Sequence, residues 1–420
     1  MRSCMIRVSR ILKPLAVALV WAALLGDARA RGENWPRFRG ENGSGVSADK
    51  GLPKTWSTGD YAWNIELPGE GHSSPVIWDD RLFLSTALDE GAVRYLICLD
   101  AKGGGQIWSH PFGFSRSHKH AKSSWASATP TTDGERVYVA FADKEKYLLS
   151  ACDFDGNLVW QRDLGPYESQ HGQGASPIVF EDLLIVPNDQ DGPSSVIALN
   201  RFTGETVWSL LRSNRLVAYA TPLIVQKAGR EPQLICSGTN SGVTSIDPRT
   251  GRLNWKSGEL PARCVASPIF TGDLVIQQCG GGGVGQLLVA LDPFTQRDSQ
   301  PVTAYTRNKN LPYVPIPVCH GDHVYLWNDN GVVNCMETAT GNNIWTKRIG
   351  GKFTGSPICV DGTLYIMSEE GNVVVLAASP EFQQYGEMPL DDPSHSTPAF
   401  ANGRLYLRTF HRLACLESHP

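Results

Sequence analysis

Six side chains with chemistry to offer recur at one kind of position along this chain. His72, His171, Tyr219, Arg263, Tyr313 and His395 each lie a few residues before a proline that opens an apolar run: Pro75, Pro177, Pro222, Pro268, Pro317 and Pro398. Trp125 and Phe353 hold the same place before Pro130 and Pro357. Imidazoles can relay protons or bind a metal, a guanidinium can clamp an anion, and aromatic rings can stack on a planar ligand. Gathered on one rim, they make a polar funnel for a small ligand, a metal or a peptide. A second set falls further along each repeat, at Asp143, Asp189, Asp191, Asn240, Asp329, Glu369 and His411. Within it, Asn188-Asp189-Gln190-Asp191-Gly192 alternates acids before a Gly, as a calcium loop begins. No Glu follows at the required distance, so an Asx turn is the plainer reading, with Asp189 and Asp191 kept as the metal candidates. His118-Lys119-His120 can also hold a metal, although a solvated loop explains it as well. Gly280 to Gly283 lacks the Lys-Ser/Thr and the helix of a phosphate loop. Gly-x-Ser-x-Gly does not occur, so a hydrolase nucleophile has no support.

These groups must be positioned by a repeat. Eight strand openings are marked by Pro75, Pro130, Pro177, Pro222, Pro268, Pro317, Pro357 and Pro398. In most copies a Gly-x-x-x-Trp ending follows, as Gly104–Trp108, Gly156–Trp160, Gly204–Trp208, Gly251–Trp255 and Gly341–Trp345. Short alternating runs separated by turn dipeptides such as Asp133-Gly134, Asp361-Gly362 and Asn402-Gly403 read as strands and hairpins, and no stretch carries a sustained helical period. A period of about 40–50 residues with several strands per unit predicts an all-β, eight-bladed β-propeller with four-stranded blades. The eighth repeat stops at Cys415-Leu416 before any outer strand, and Trp63-Asn64-Ile65-Glu66-Leu67 matches the outer strand Trp160 to Leu164. The N-terminal strand is therefore expected to complete the last blade, leaving no free sheet edge. Trp63, Trp108, Trp160, Trp208, Trp255 and Trp345 are read as docking residues that lie over an adjacent blade, not as a ligand surface. Repeats five and seven lack the ending.

Residues 1–30 read as an export signal. Arg2, Arg7, Arg10 and Lys13 precede the apolar run Leu15–Leu25, and Ala28-Arg29-Ala30 follows as a cleavage site. A retained anchor is the competing reading of a run this short. The expected organisation is a signal over 1–30, an extension over 31–60 and one propeller domain over 61–420. Cleavage leaves 33 basic against 41 acidic residues, a formal charge of −8. That balance argues against a nucleic-acid partner. No other run is long enough for a transmembrane helix, and the mature chain is expected in the periplasm or outside the cell, as a monomer. Nine cysteines remain after cleavage. Cys264 and Cys279 flank one predicted hairpin and are the pair able to form a disulfide in an oxidising compartment.

The unit Ala198-Leu199-Asn200-Arg201-Phe202-Thr203-Gly204-Glu205-Thr206-Val207-Trp208 resembles the tryptophan-docking repeat of the PQQ-like (quinoprotein-type) eight-bladed propellers. The resemblance extends over about residues 60–417. The opening Asn34-Trp35-Pro36-Arg37-Phe38-Arg39-Gly40 is similar to that of exported planctomycete-type members. The family holds both quinone-dependent dehydrogenases and non-catalytic scaffolds such as the outer-membrane assembly lipoprotein BamB. The dehydrogenases cap a calcium-bound quinone with a disulfide between adjacent cysteines, and this chain has no Cys-Cys pair. The lipid-bearing cysteine of the lipoprotein is also missing: Cys4 lies before the apolar run. The leading expectation is an exported scaffold that binds a protein or envelope component and carries no cofactor. PQQ with calcium at the axial mouth is the alternative, and a carbohydrate or small-ligand module comes third.

Overall fold

A computed structural model describes Met1 and residues 33–418, so the signal reading for 1–30 lies outside the described residues. Each proline opening starts a short inner strand, and several of these are almost wholly buried, such as Ile178–Phe180, Ile358–Val360 and Ala399–Ala401. Two buried strands follow, then an outer strand that alternates exposed and covered residues, as in Thr206–Arg212. The pattern follows position: the middle strands lie between neighbouring blades and are apolar on both faces, whereas the outer strand meets water. Eight such antiparallel sheets form the ring. In the last, Trp63–Glu66 pairs with Arg412–Glu417 in the register Trp63↔Cys415, the closure expected from the missing outer strand.

The residue before the strand-opening proline, a Ser or Thr in seven of the eight repeats, joins neighbouring blades at the hub. The amide of Ser74 donates to the Thr129 hydroxyl, that of Thr129 to Ser176, Ser176 to Thr221, and Thr221 to Ser267, at 2.9–3.0 Å. The same bond joins Ile316 to Ser356, Ser356 to Thr397 and Thr397 back to Ser74. Each blade thus meets the amide its neighbour leaves unpaired next to a proline, which has no N–H to offer. Ile316 carries no hydroxyl, and the girdle has its one gap there.

The tryptophans dock onto the following blade. The indole N–H of Trp160 donates to Arg201 O and that of Trp208 to Pro248 O, at 2.9 and 3.0 Å. Trp108, Trp255 and Trp345 donate likewise to Phe154, Pro293 and Ser379, while the Trp63 N–H is buried without a partner. Blade five, which lacks the sequence ending, substitutes Tyr305. Its ring lies over Gly341 and its hydroxyl donates to Thr338 O.

Residues 33–60 belong to the same compact unit as the blades. Trp35 is fully buried and bridges Ile77 of blade one, and Pro36 O accepts from Thr132 N of blade two. Arg37 donates to Pro222 O, Arg39 to both Pro317 O and Pro357 O, and Val46–Ser47 adds a parallel strand to the inner strand of blade seven. The segment is a strap across the inner strands. Among the described residues no helix is long and apolar enough to cross a membrane.

Candidate functional site

The loops entering the inner strands converge on an axial cavity of about 760 Å³. Its lower wall is the girdle itself, Ser74, Thr129, Ser176, Thr221, Ser267, Ile316, Ser356 and Thr397, and Phe38 of the strap reaches it as a floor. All six rim residues singled out by their offset from the prolines, His72, His171, Tyr219, Arg263, Tyr313 and His395, line it. Trp125 and Phe353 do not: Trp125 packs beneath Lys119, and Phe353 is buried against Trp327. From the second set only Asp329 and Glu369 reach the cavity.

The rim has two imidazole clusters. His72 and His395 sit edge to face with ring centres 4.7 Å apart, both against Phe410, and His120 and His171 are 4.2 Å apart. Burial, and then the neighbouring imidazole of His395, pulls the pKa of His72 well below its ordinary value. Burial first, followed by His120 and Arg263, does the same to His171. Burial also lowers His395 against the opposing pull of Glu369, whose oxygen lies 3.9 Å away. Glu369 is occupied by Lys122, with Nζ at 2.6 Å from each oxygen, and by the Thr354 hydroxyl. Burial works to raise its pKa, yet these bonds together hold it below the usual range. Asp329 accepts the amides of Tyr313 and Val314, but burial outweighs them and lifts its pKa to about 6. Arg263 is different. It lies 5.8 Å from the Tyr219 ring centre, and among the described residues no carboxylate is within ion-pair distance.

A histidine that binds its proton less tightly when folded destabilises the fold once the unfolded chain starts to take that proton up. Stability should therefore fall as pH drops through about 6.5, by up to ~1.4 kcal/mol per pH unit for one strongly depressed imidazole. Asp329 opposes this, because its raised pKa makes the folded state the better proton acceptor from about pH 6 down to 3.8. Thermal melts are expected to shift downward between pH 7.5 and 5.5, with His72→Phe flattening the slope. An unchanged slope in that variant would show that His72 is not held neutral.

The acidic candidates are used internally. Asp189 is buried against the Arg212 guanidinium at 3.3 Å and accepts from Asn214, and burial raises its pKa. Asp191 accepts the amides of Val217 and Gln170. The two carboxylates thus brace neighbouring loops, and among the described residues no three His, Cys, Asp or Glu side chains are arranged to hold a metal. His118 stays off the axial cavity while His120 faces it, and Gly282 and Gly283 form part of the rim. Cys264 and Cys279, the pair able to form a disulfide, flank the Arg263↔Gly280 bridge, and both are buried free thiols in this structure. Sequence reasoning missed Phe38, Lys122 and Lys352 as cavity residues; none sits at a repeated offset from a proline.

The sequence profile of the family described as outer membrane protein assembly factor BamB matches residues 94–259 and 146–381. BamB of Yersinia pestis is 24% identical over 369 residues, covering 84% of this chain and 75% of that protein. BamB of Legionella pneumophila (strain Paris) is 29% identical over 150 residues, 35% of this chain and 36% of that protein. Among solved structures, BamB from Moraxella catarrhalis superposes with a TM-score of 0.63 at 16% identity, covering 86% of this chain and 98% of that one. Quinohemoprotein alcohol dehydrogenase from Comamonas testosteroni reaches 0.64 at 12% identity, covering 91% and 80%. At these identities both are likenesses of fold alone. The match over more than half of the sequence, on a ring whose blades are joined by docked tryptophans, decides the family: the chain belongs to the PQQ-like propellers of the outer membrane protein assembly factor BamB family.

Proposed function

We propose that this chain is an exported, non-catalytic scaffold that binds another protein, or an envelope component, through its loop faces. The observation that carries the reading is the family match, whose members are named for assembly rather than for a reaction. The rim agrees with it. Glu369 is bound by Lys122 and Thr354 and Asp329 by two amides, so the carboxylates of the cavity are tied to the protein itself. A rigid ring that displays independent loops suits a binding role.

The quinone alternative does not fit the donor set. Calcium takes six to eight oxygen ligands at about 2.3–2.6 Å. The two carboxylates that line the cavity, Glu369 and Asp329, are held by Lys122 and by two backbone amides, while Asp189 and Asp191 lie off it, committed to an arginine and to loop amides. Photo-crosslinking residues placed at Arg215 and Glu370 on the loop face, in the protein's own host, are expected to trap a single protein partner. A third probe at Val207, on the exposed outer strand, should not. Trapping from Val207 alone, or none from either loop site, would overturn the reading.

A further inference from the structure

We propose that the axial cavity receives an acidic segment of the protein partner, with Arg263 clamping its carboxylate; this rests on the scaffold reading above. Three observations converge. First, the chain as a whole is acidic, with a formal charge of −4 before any cleavage, yet the surroundings of the cavity are positive. Arg37 and Arg39 donate to carbonyls directly below the cavity-lining residues Thr221, Ile316 and Ser356. Arg408 donates to Ser73 O, behind the wall formed by His72 and Ser74. Among the described residues none of these three guanidiniums has a carboxylate within ion-pair distance. Burial lowers each to a pKa of about 9, which leaves all three charged at neutral pH. On the anionic side the cavity holds Glu369, already neutralised by Lys122, and Asp329. Low-dielectric walls focus such an imbalance into the space they enclose.

Second, a donor in the wall lacks an acceptor: the Nε–H of Arg263, a cavity-lining residue, is buried without a partner. A ligand oxygen would supply the acceptor that this buried N–H lacks. Third, the shape suits an entering chain. The cavity falls within the ~300–1,000 Å³ of ligand sites. Phe38 of the strap lines it together with the girdle residues. Arg263 lies over the Tyr219 ring, interacts with the Tyr313 hydroxyl and shares the wall with Val265, so a carboxylate on an entering segment meets a fork-shaped cation beside aromatic and apolar groups.

The test uses the full mature protein and a capped octapeptide of Gly and Ser carrying two Glu and one Tyr, alongside its twin with Gln for Glu, by titration calorimetry. The Glu peptide is expected to bind, and its twin to bind at least 10-fold more weakly. Arg263→Gln should weaken binding by about 10- to 100-fold, the worth of one charge-assisted contact. Arg263→Lys should fall between, since it keeps the charge and loses the fork. Affinity should drop as salt rises. A thermal melt of each variant checks the fold. Equal binding of the two peptides, or an Arg263→Gln variant that binds like the parent, overturns the proposal. So does succinate binding as tightly as the peptide, since the cavity would then take a free small anion. If neither peptide binds while the loop-face crosslinks persist, this inference fails and the scaffold reading stands. Peptide binding without any crosslinked partner reverses that outcome.

Discussion

Gly204→Ala is expected to destabilise the ring by about 3 kcal/mol although it adds a single methyl group. Two effects combine. Gly204 has φ +75°, where a Cβ costs roughly 1–2 kcal/mol, and that Cβ would lie 2.7 Å from Cε3 of the Trp160 ring docked on it. Forcing a packed indole aside costs a further ~1–3 kcal/mol. Trp160→Ala alone should cost about 3–5 kcal/mol, because the ring is buried and its N–H is bonded to Arg201 O. The informative experiment is the cycle. In the double variant the clash has no indole to meet, so only the backbone term of Gly204→Ala should remain, and the summed losses should exceed the double loss by ~1–3 kcal/mol. Urea melts of the four proteins read this directly. Strict additivity would mean that Gly204 is there for its turn alone and that the indole does not dictate it.

That pairing also marks the limit of what the sequence conveys. The Gly-x-x-x-Trp spacing is visible within one repeat, and it is natural to read the Gly as serving the turn before its own Trp. The structure shows that Gly204 serves Trp160 of the preceding blade, a relation across about 44 positions that no local pattern displays. Tyr305 is the same lesson from the other side. It docks as the tryptophans do, but blade five reaches it through the long hairpin Val284–Arg297 and Gln300–Arg307, so the offset that would reveal it is lost. The six rim residues were legible because they ride on the repeat itself. Asp189 was not, since an acid next to an Asx turn looks the same whether it faces a cation in solution or the Arg212 guanidinium. The strap was least legible of all. Trp35 to Ser47 has no period, and its contacts are spread over blades one, two, four, six and seven.

The strap is where the second large effect is expected. Arg39→Leu should cost about 3–5 kcal/mol and free the N-terminal segment. The Arg39 guanidinium donates to Gly43 O, Ser44 O, Pro317 O and Pro357 O, tying the strap to itself and to blades six and seven at once. Replacing a buried charge by an apolar side chain of similar volume is often harmless where the charge has a counter-ion that can be replaced too. Here the partners are carbonyl oxygens that stay buried after the substitution, and each unmet one costs about 1–3 kcal/mol. Gly45 bears the same dependence, since a Cβ there would fall on the Arg39 guanidinium. Arg39→Lys keeps the charge but reaches fewer acceptors from one nitrogen, so it should lose less than Arg39→Leu. Limited proteolysis separates a local from a global effect: cutting within residues 33–54 before the blades melt means that the strap opens by itself. A loss below ~1 kcal/mol in Arg39→Leu, with the segment still protected, would place the anchoring in Trp35 and in the parallel pairing of Val46–Ser47 with Cys359–Val360 instead.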